Sequence, residues 1–224
     1  MKSKIAIFLV LCVSFYHTSI AQPIEPLSEK YKETLIQKHL WYPACPVKLS
    51  RLREVTVNYY DFDNHLHTDG KLIVLDALAP QTVAIFKELE KKHFPIHQIK
   101  PTSDYNGDDE LSMEDNNTSA FNCRPMTGVN DKFSLHAYGA AIDINPLQNP
   151  YIGFSQKIIG DAVILPKNAT QYVNRIFHVP GSSETVVDIF SHHGFGEWGG
   201  LWHDPIDYQH FQISRANAEK LAAE

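Results

Sequence analysis

The sequence predicts an α+β fold, and three observations carry that prediction. Stretches that alternate apolar and polar residues with a period of two, such as REVTVNYY (53–60), stand beside stretches with helical spacing, such as the one opened by Pro80. The two kinds do not follow one another in the regular strand, helix, strand order of a parallel sheet. No internal repeat or low-complexity tract is visible along the 224 residues.

Residues 1–21 carry Lys2 and Lys4, an apolar run from Ile5 to about Phe15, and small residues at Ser19 and Ala21. This is the layout of a secretory signal peptide, and the run is too short for a transmembrane helix. Cleavage is expected after Ala21, with residues 22–224 forming a single domain. Loss of the two lysines leaves 18 basic against 26 acidic residues. That balance argues against nucleic acid as a partner, because phosphates would repel it. No later run is long enough to cross a bilayer, so no transmembrane segment is expected in the mature chain, which would be secreted or periplasmic. Cys45 and Cys123 would then meet an oxidising compartment. Whether they pair is open from sequence, and neither belongs to a CxxC pair that would hold zinc through thiolates.

The elements follow in order. QPIEPL (22–27) reads as an extended lead-in, and Ser28 caps a helical pattern over 29–41. Val55, Val57 and Tyr59 mark the inner face of a strand over 53–60. Thr68-Asp69-Gly70 reads as a turn before a second strand at 71–76, with His65 and His67 solvated beside it. Pro80 starts a helix whose Val83, Phe86 and Leu89 share a stripe. From about 100 to 132 the sequence is polar and rich in Asp and Asn, too long for a plain connector and hence a functional loop; Asp108, Asp109 and Glu110 are expected to be solvated there. A helix from about Ser183 to His193 stops at Gly194, and a terminal helix follows Ser214.

The chemistry concentrates in two stretches. In SLHAYGAAIDINP (134–146), Ile142 and Ile144 alternate with Asp143 as in a strand, and Gly139 with the two alanines after it lets the backbone fold back until the His136 ring and the Asp143 carboxylate converge. In DYQHFQI (207–213), His210 and Gln212 share one strand face. If these two strands pair, His136, Asp143 and His210 are presented together. Two imidazoles and one carboxylate are a recurrent ligand set for catalytic zinc with a fourth position open. Asp207, three residues before His210 and after Pro205, is placed to take a proton from the attacking water without ligating the metal.

SLHAYGAAIDINP also matches the pattern SxHxxGxAxD, and GGLWHDPIDYQHF (199–211) the pattern GGxW followed by DxxHF. In both, the chain resembles the zinc D-Ala-D-Ala metallopeptidases, and FPI (94–96), NNTSAFNCR (116–124) and NPLQNPY (145–151) extend the resemblance to a VanY-like branch over roughly residues 50–213. The resemblance implies a small antiparallel sheet flanked by helices, like the Hedgehog/DD-peptidase fold. It implies one Zn2+ per chain on His136, Asp143 and His210, with Asp207 as general base, where many relatives have glutamate. Arg124 falls where relatives carry a substrate-contacting arginine, suited to a carboxylate or to oxyanion charge. Ser134 is expected to orient Asp143 or a loop backbone, and Tyr138, Trp198 and Trp202 to line a peptide groove, at least one of them buried instead. The implied activity is hydrolysis of peptidoglycan stem peptides, as a D-alanyl-D-alanine carboxypeptidase; an L-Ala-D-Glu endopeptidase and a zinc-containing binding module without turnover are the alternatives.

Overall fold

A computed structural model describes residues 24–127, 129–154 and 162–224. The leader expected over residues 1–21 lies outside the described residues. The chain begins with strand β1 (Ile24–Pro26) and helix α1 (Glu29–Gln37), whose N-terminus is capped by the Ser28 hydroxyl accepting from the Tyr31 amide. The helix stops four residues short of the predicted 29–41. His39 takes a left-handed conformation, and the amides of Leu40 and Trp41 both donate back to the Leu35 carbonyl, which ends the helical ladder.

Strands β2 (Leu52–Tyr60) and β3 (Leu66–Leu75) form an antiparallel hairpin, with β1 on the outer edge of β2. Val55, Val57 and Tyr59 point into the core, as their spacing predicts, and Leu52 is buried as well, out of that period. The predicted turn at 68–70 is instead part of β3. The chain reverses at Asp61, whose Oδ1 accepts from the amides of Asp63 and His65 and so performs the turn chemistry. His67, expected in solvent, stacks on Tyr59 at 4.8 Å between centroids and contacts Asp61 Oδ2 at 2.8 Å. Helix α2 (Ala79–Lys91), with Pro80 in its first turn, lays Ile85, Phe86 and Leu89 against the hairpin.

The predicted polar loop of 100–132 is built structure. It contains β5 (Asn117–Thr118), which pairs in parallel with β4 (Gln98–Ile99) just ahead of the segment, helix α3 (Asp109–Glu114), and the pair β6 (Pro125–Met126) and β7 (Val129–Phe133). Its acidic group is engaged as well as solvated, with Asp108 and Glu110 exposed and Asp109 half-buried. Asp108 caps α3 by accepting from the Leu111 amide, Asp109 pairs with Arg124, and Glu110 with Lys167. The disulfide between Cys45 and Cys123, Cα atoms 6.0 Å apart, ties this region to the N-terminal part across 78 positions.

Strand β8 (Ala141–Asp143) is followed by β9 (Tyr151–Phe154), β10 (Ala162–Leu165), helix α4 (Val187–His192), β11 (Glu197–Trp198), β12 (Ile206–Asp207), β13 (His210–Gln212) and helix α5 (Arg215–Ala223). Two small antiparallel sheets result, ordered β10-β9-β12 and β11-β13-β8. The helix predicted from Ser183 starts as a 3-10 turn over Ser183–Val186 and turns α-helical only at Val187. Helices and several small antiparallel sheets make this an α+β structure. One apolar cluster joins the hairpin and α2 to Ile142, Phe190, Phe195 and Phe211, so the strands that carry the polar motifs stand on the main core.

Candidate metal and catalytic site

Ser134 opens a 3-10 turn over Leu135–Tyr138 by accepting from the His136 amide at 3.3 Å, and Gly139 closes it in a left-handed conformation at φ 61°. A side chain at 139 would put its Cβ 2.6 Å from the Leu75 amide nitrogen, whose N–H donates to the Gly139 carbonyl. Only glycine meets both conditions. The turn thereby fixes His136 directly ahead of β8. Strand β13 pairs with β8 in the register His210 opposite Asp143 and Phe211 opposite Ile142. Phe211 and Ile142 are fully buried, which turns the polar partners to the other face.

His136, Asp143 and His210 therefore converge in a buried cluster. His136 Nε2 lies 3.1 Å from His210 Nδ1 and 3.1 Å from an Asp143 carboxylate oxygen, whose other oxygen is 2.9 Å from His210 Nδ1. A tetrahedral zinc ion with bonds of about 2.0–2.1 Å would have ligand atoms about 3.3 Å apart. The donor chemistry agrees. His136 Nδ1 lies 2.5 Å from the Ala120 carbonyl, which only accepts, so the ring proton sits there and Nε2 turns a lone pair to the cluster. His210 Nε2 faces Gln212 Oε1 at 2.8 Å, which leaves Nδ1 for the same purpose. The three residues fit a divalent metal.

Electrostatics of the three side chains tell the same story. Burial penalises a charged ring at His210, yet the hydrogen bond and charge of Asp143 outweigh it and lift the imidazole to about 9. Burial likewise opposes the Asp143 charge, but the two histidines hold its carboxyl far below the usual range.

Asp207 is the cross-strand partner of Tyr151 in β9. It is half-buried as a residue, but its Oδ1 is shut off from solvent and has no hydrogen-bond partner among the described residues. Burial is the main cause that raises its carboxyl to about 6; His210 pulls it down and Asp143 pushes it up. Its backbone lies against Gly199, where an added Cβ would sit 2.4 Å from the Asp207 carbonyl oxygen. The glycine of the GGLW stretch thus sets the position of the carboxylate.

A cleft of about 810 Å³ opens over the cluster, lined among others by Arg124, Ser134, Tyr151, Trp202, Asp207 and Gln209 together with the three ligand candidates. The Arg124 guanidinium meets Asp109 at 2.6 Å and also contacts the Pro125 carbonyl. Trp202 lies beside His210, with centroids 5.4 Å apart. Tyr138 is not among the lining residues: its ring packs against the core beneath the Arg215 guanidinium. Trp198 also turns inward, with its indole donating to the Tyr208 carbonyl and stacked on Phe211. A second group of potential ligands, Asp61, Asp63 and His65, is largely exposed, and Asp61 Oδ1 is engaged by two backbone amides.

Sequence reasoning missed the Ala120 carbonyl, the Asp109 partner of Arg124, and Tyr151 and Gln209 in the cleft. The first arises because residue 119 pairs with Asp143 on the open side of β8, and Ala120 follows it. The one signal for this was the density of Asn, Ser and Thr in NNTSAFN, residue types able to satisfy a buried irregular backbone.

No characterised protein and no solved structure shows significant similarity to the chain. Residues 127–213 match the family model described as D-alanyl-D-alanine carboxypeptidase. The match covers less than half of the chain and begins after Arg124, a narrower span than the motif resemblance from about residue 50. It contains Ser134, His136, Asp143, Asp207 and His210, so the stretch that carries the candidate site is similar to the D-alanyl-D-alanine carboxypeptidase family.

Proposed function

We propose that the protein is a secreted or periplasmic peptidase that uses one Zn2+ per chain to hydrolyse peptidoglycan stem peptides, acting as a D-alanyl-D-alanine carboxypeptidase. The observation that carries this reading is the cluster of His136, Asp143 and His210 with Asp207 on the same cleft. His136, Asp143 and His210 would hold the zinc. When bound, the metal supplies Lewis acidity toward the scissile carbonyl and acidifies the attacking water.

Asp207 accepts the proton that the water gives up and returns it to the leaving amine. Its burial suits this task, since a carboxylate raised to about 6 is a better base than an exposed one yet is mainly ionised at neutral pH. Arg124 contacts the substrate from the cleft wall, and Trp202 offers an apolar face beside His210. Ser134 holds the backbone of the His136 turn. Export is supported by the leader pattern of residues 1–21 and by the Cys45 to Cys123 disulfide, which persists in oxidising compartments.

One observation favours the second reading, an L-Ala-D-Glu endopeptidase. The Arg124 charge is already met by Asp109, which weakens its claim on a terminal carboxylate. Mass spectrometry of digested muropeptides separates the two, since the first releases a single alanine and the second splits the stem. Turnover is expected to stop with a chelator and to fall by about 10²- to 10⁴-fold in Asp207→Ala. Full activity of the chelated protein, or of that variant, would refute the mechanism.

A further inference from the structure

His210 has two ring nitrogens, and a metal shared with His136 and Asp143 requires a bare Nδ1. The group facing Nε2 decides this. That group is the side chain of Gln212, on the same face of β13, with Oε1 2.8 Å from Nε2. An amide alone does not decide, because half a turn exchanges its carbonyl for its NH2. With the NH2 toward the ring, Nε2 would have to accept, and the ring proton would move to Nδ1, where the metal belongs.

Glu197 removes the ambiguity. It is the register partner of Gln212 in β11, and its Oε2 lies 2.6 Å from Gln212 Nε2. A carboxylate only accepts, so the Gln212 NH2 must point to Glu197 and its carbonyl to His210. We propose that Glu197 and Gln212 form a positioning relay that holds His210 in the tautomer able to ligate a metal through Nδ1; this rests on the metal site proposed above. The two histidines are set by unlike means. His136 leans on the backbone carbonyl of Ala120, which does not flip, whereas His210 depends on two side chains that one substitution can undo.

The test is zinc affinity, measured by competition with a chromophoric chelator, together with long-range ¹⁵N NMR of the His210 ring. Glu197 is exposed, so Glu197→Ala leaves the core untouched. That variant is expected to bind zinc about 10- to 100-fold more weakly and to show loss of the proton on His210 Nε2. The double exchange Glu197→Gln with Gln212→Glu puts an accepting carboxylate against His210 and a donating amide behind it, and is expected to regain most of the lost affinity. Wild-type affinity in Glu197→Ala, or an exchange variant no better than Glu197→Ala, would overturn the relay alone. A wild-type protein that takes up no zinc would overturn the metal site and the relay with it.

Discussion

In the hairpin of β2 and β3 with α2 packed on it, the buried side chains are Leu52, Val55, Val57, Leu72, Val74, Ile85, Phe86, Leu89 and their like, and one polar group, Thr82, whose hydroxyl donates to the Leu78 carbonyl. Between Thr102 and His210 the interior is different. Every other buried polar or charged side chain among the described residues lies there, from Asn117 and Asn122 to Asn145, Asn149 and the metal-ligand candidates. The asparagines stand in for missing strand partners. Asn117 exchanges hydrogen bonds with the backbone of Lys100, Asn145 serves the backbone of Pro95 and His97, and Asn149 that of Ile144 and Ser183. The first region spends its burial on stability. The second buries an irregular backbone whose polar groups are met one by one, and that is what allows a carbonyl, a turn and two strand ends to be held around one point.

Three measurements break or sharpen this contrast. The largest effect is expected in the apolar half. Phe86→Ala should lower unfolding stability by about 3–5 kcal/mol while leaving kcat per folded molecule unchanged; denaturant melts and active-site titration check both. A large fall in kcat would show that the two regions are not separable. Next comes Gly199→Ala, which forces the backbone of Asp207 aside. A displacement of the order of 1 Å should cost about 100-fold in kcat, with a smaller change in melting than Phe86→Ala. An alanine there that leaves kcat intact would mean the carboxylate position matters little.

The smallest effect is a slope. With His210 raised to about 9, a metal entering at neutral pH displaces a proton from it. Zinc affinity should therefore rise by about tenfold per pH unit between roughly pH 6.5 and 8.5. Calorimetry in buffers of different ionisation enthalpy would count that proton directly. Affinity flat with pH would show that the ring enters the complex already bare.

Much of the apolar half was legible from period alone. Strand 53–60, the Pro80 helix and the capping serines at 28 and 214 lie where their patterns put them, because each pattern reports on neighbours along the chain. In the polar half, the alternation around Asp143 and His210 anticipated the pairing of β8 with β13. It carried no trace of α3 or of the wall between residues 100 and 132, since Asp and Asn look alike whether they meet water or a buried amide. The same limit hid the turn at Asp61, where a side chain rather than a glycine reverses the strand.

Taken by itself, the sequence determined the residue types of the candidate site, their places on strand faces, the α+β character and the family motifs. These are properties of short segments. Only the tertiary structure decided that Cys45 meets Cys123, that Ala120 orients His136, that Asp109 faces Arg124, that Glu197 sets the amide of Gln212, and that Gly199 lies against Asp207. All five contacts join separate stretches of the chain that local periodicity does not relate, and the one between Gly199 and Asp207 also depends on a close backbone approach that spacing does not report. They form because an apolar core buried elsewhere brings those segments within hydrogen-bonding or van der Waals reach.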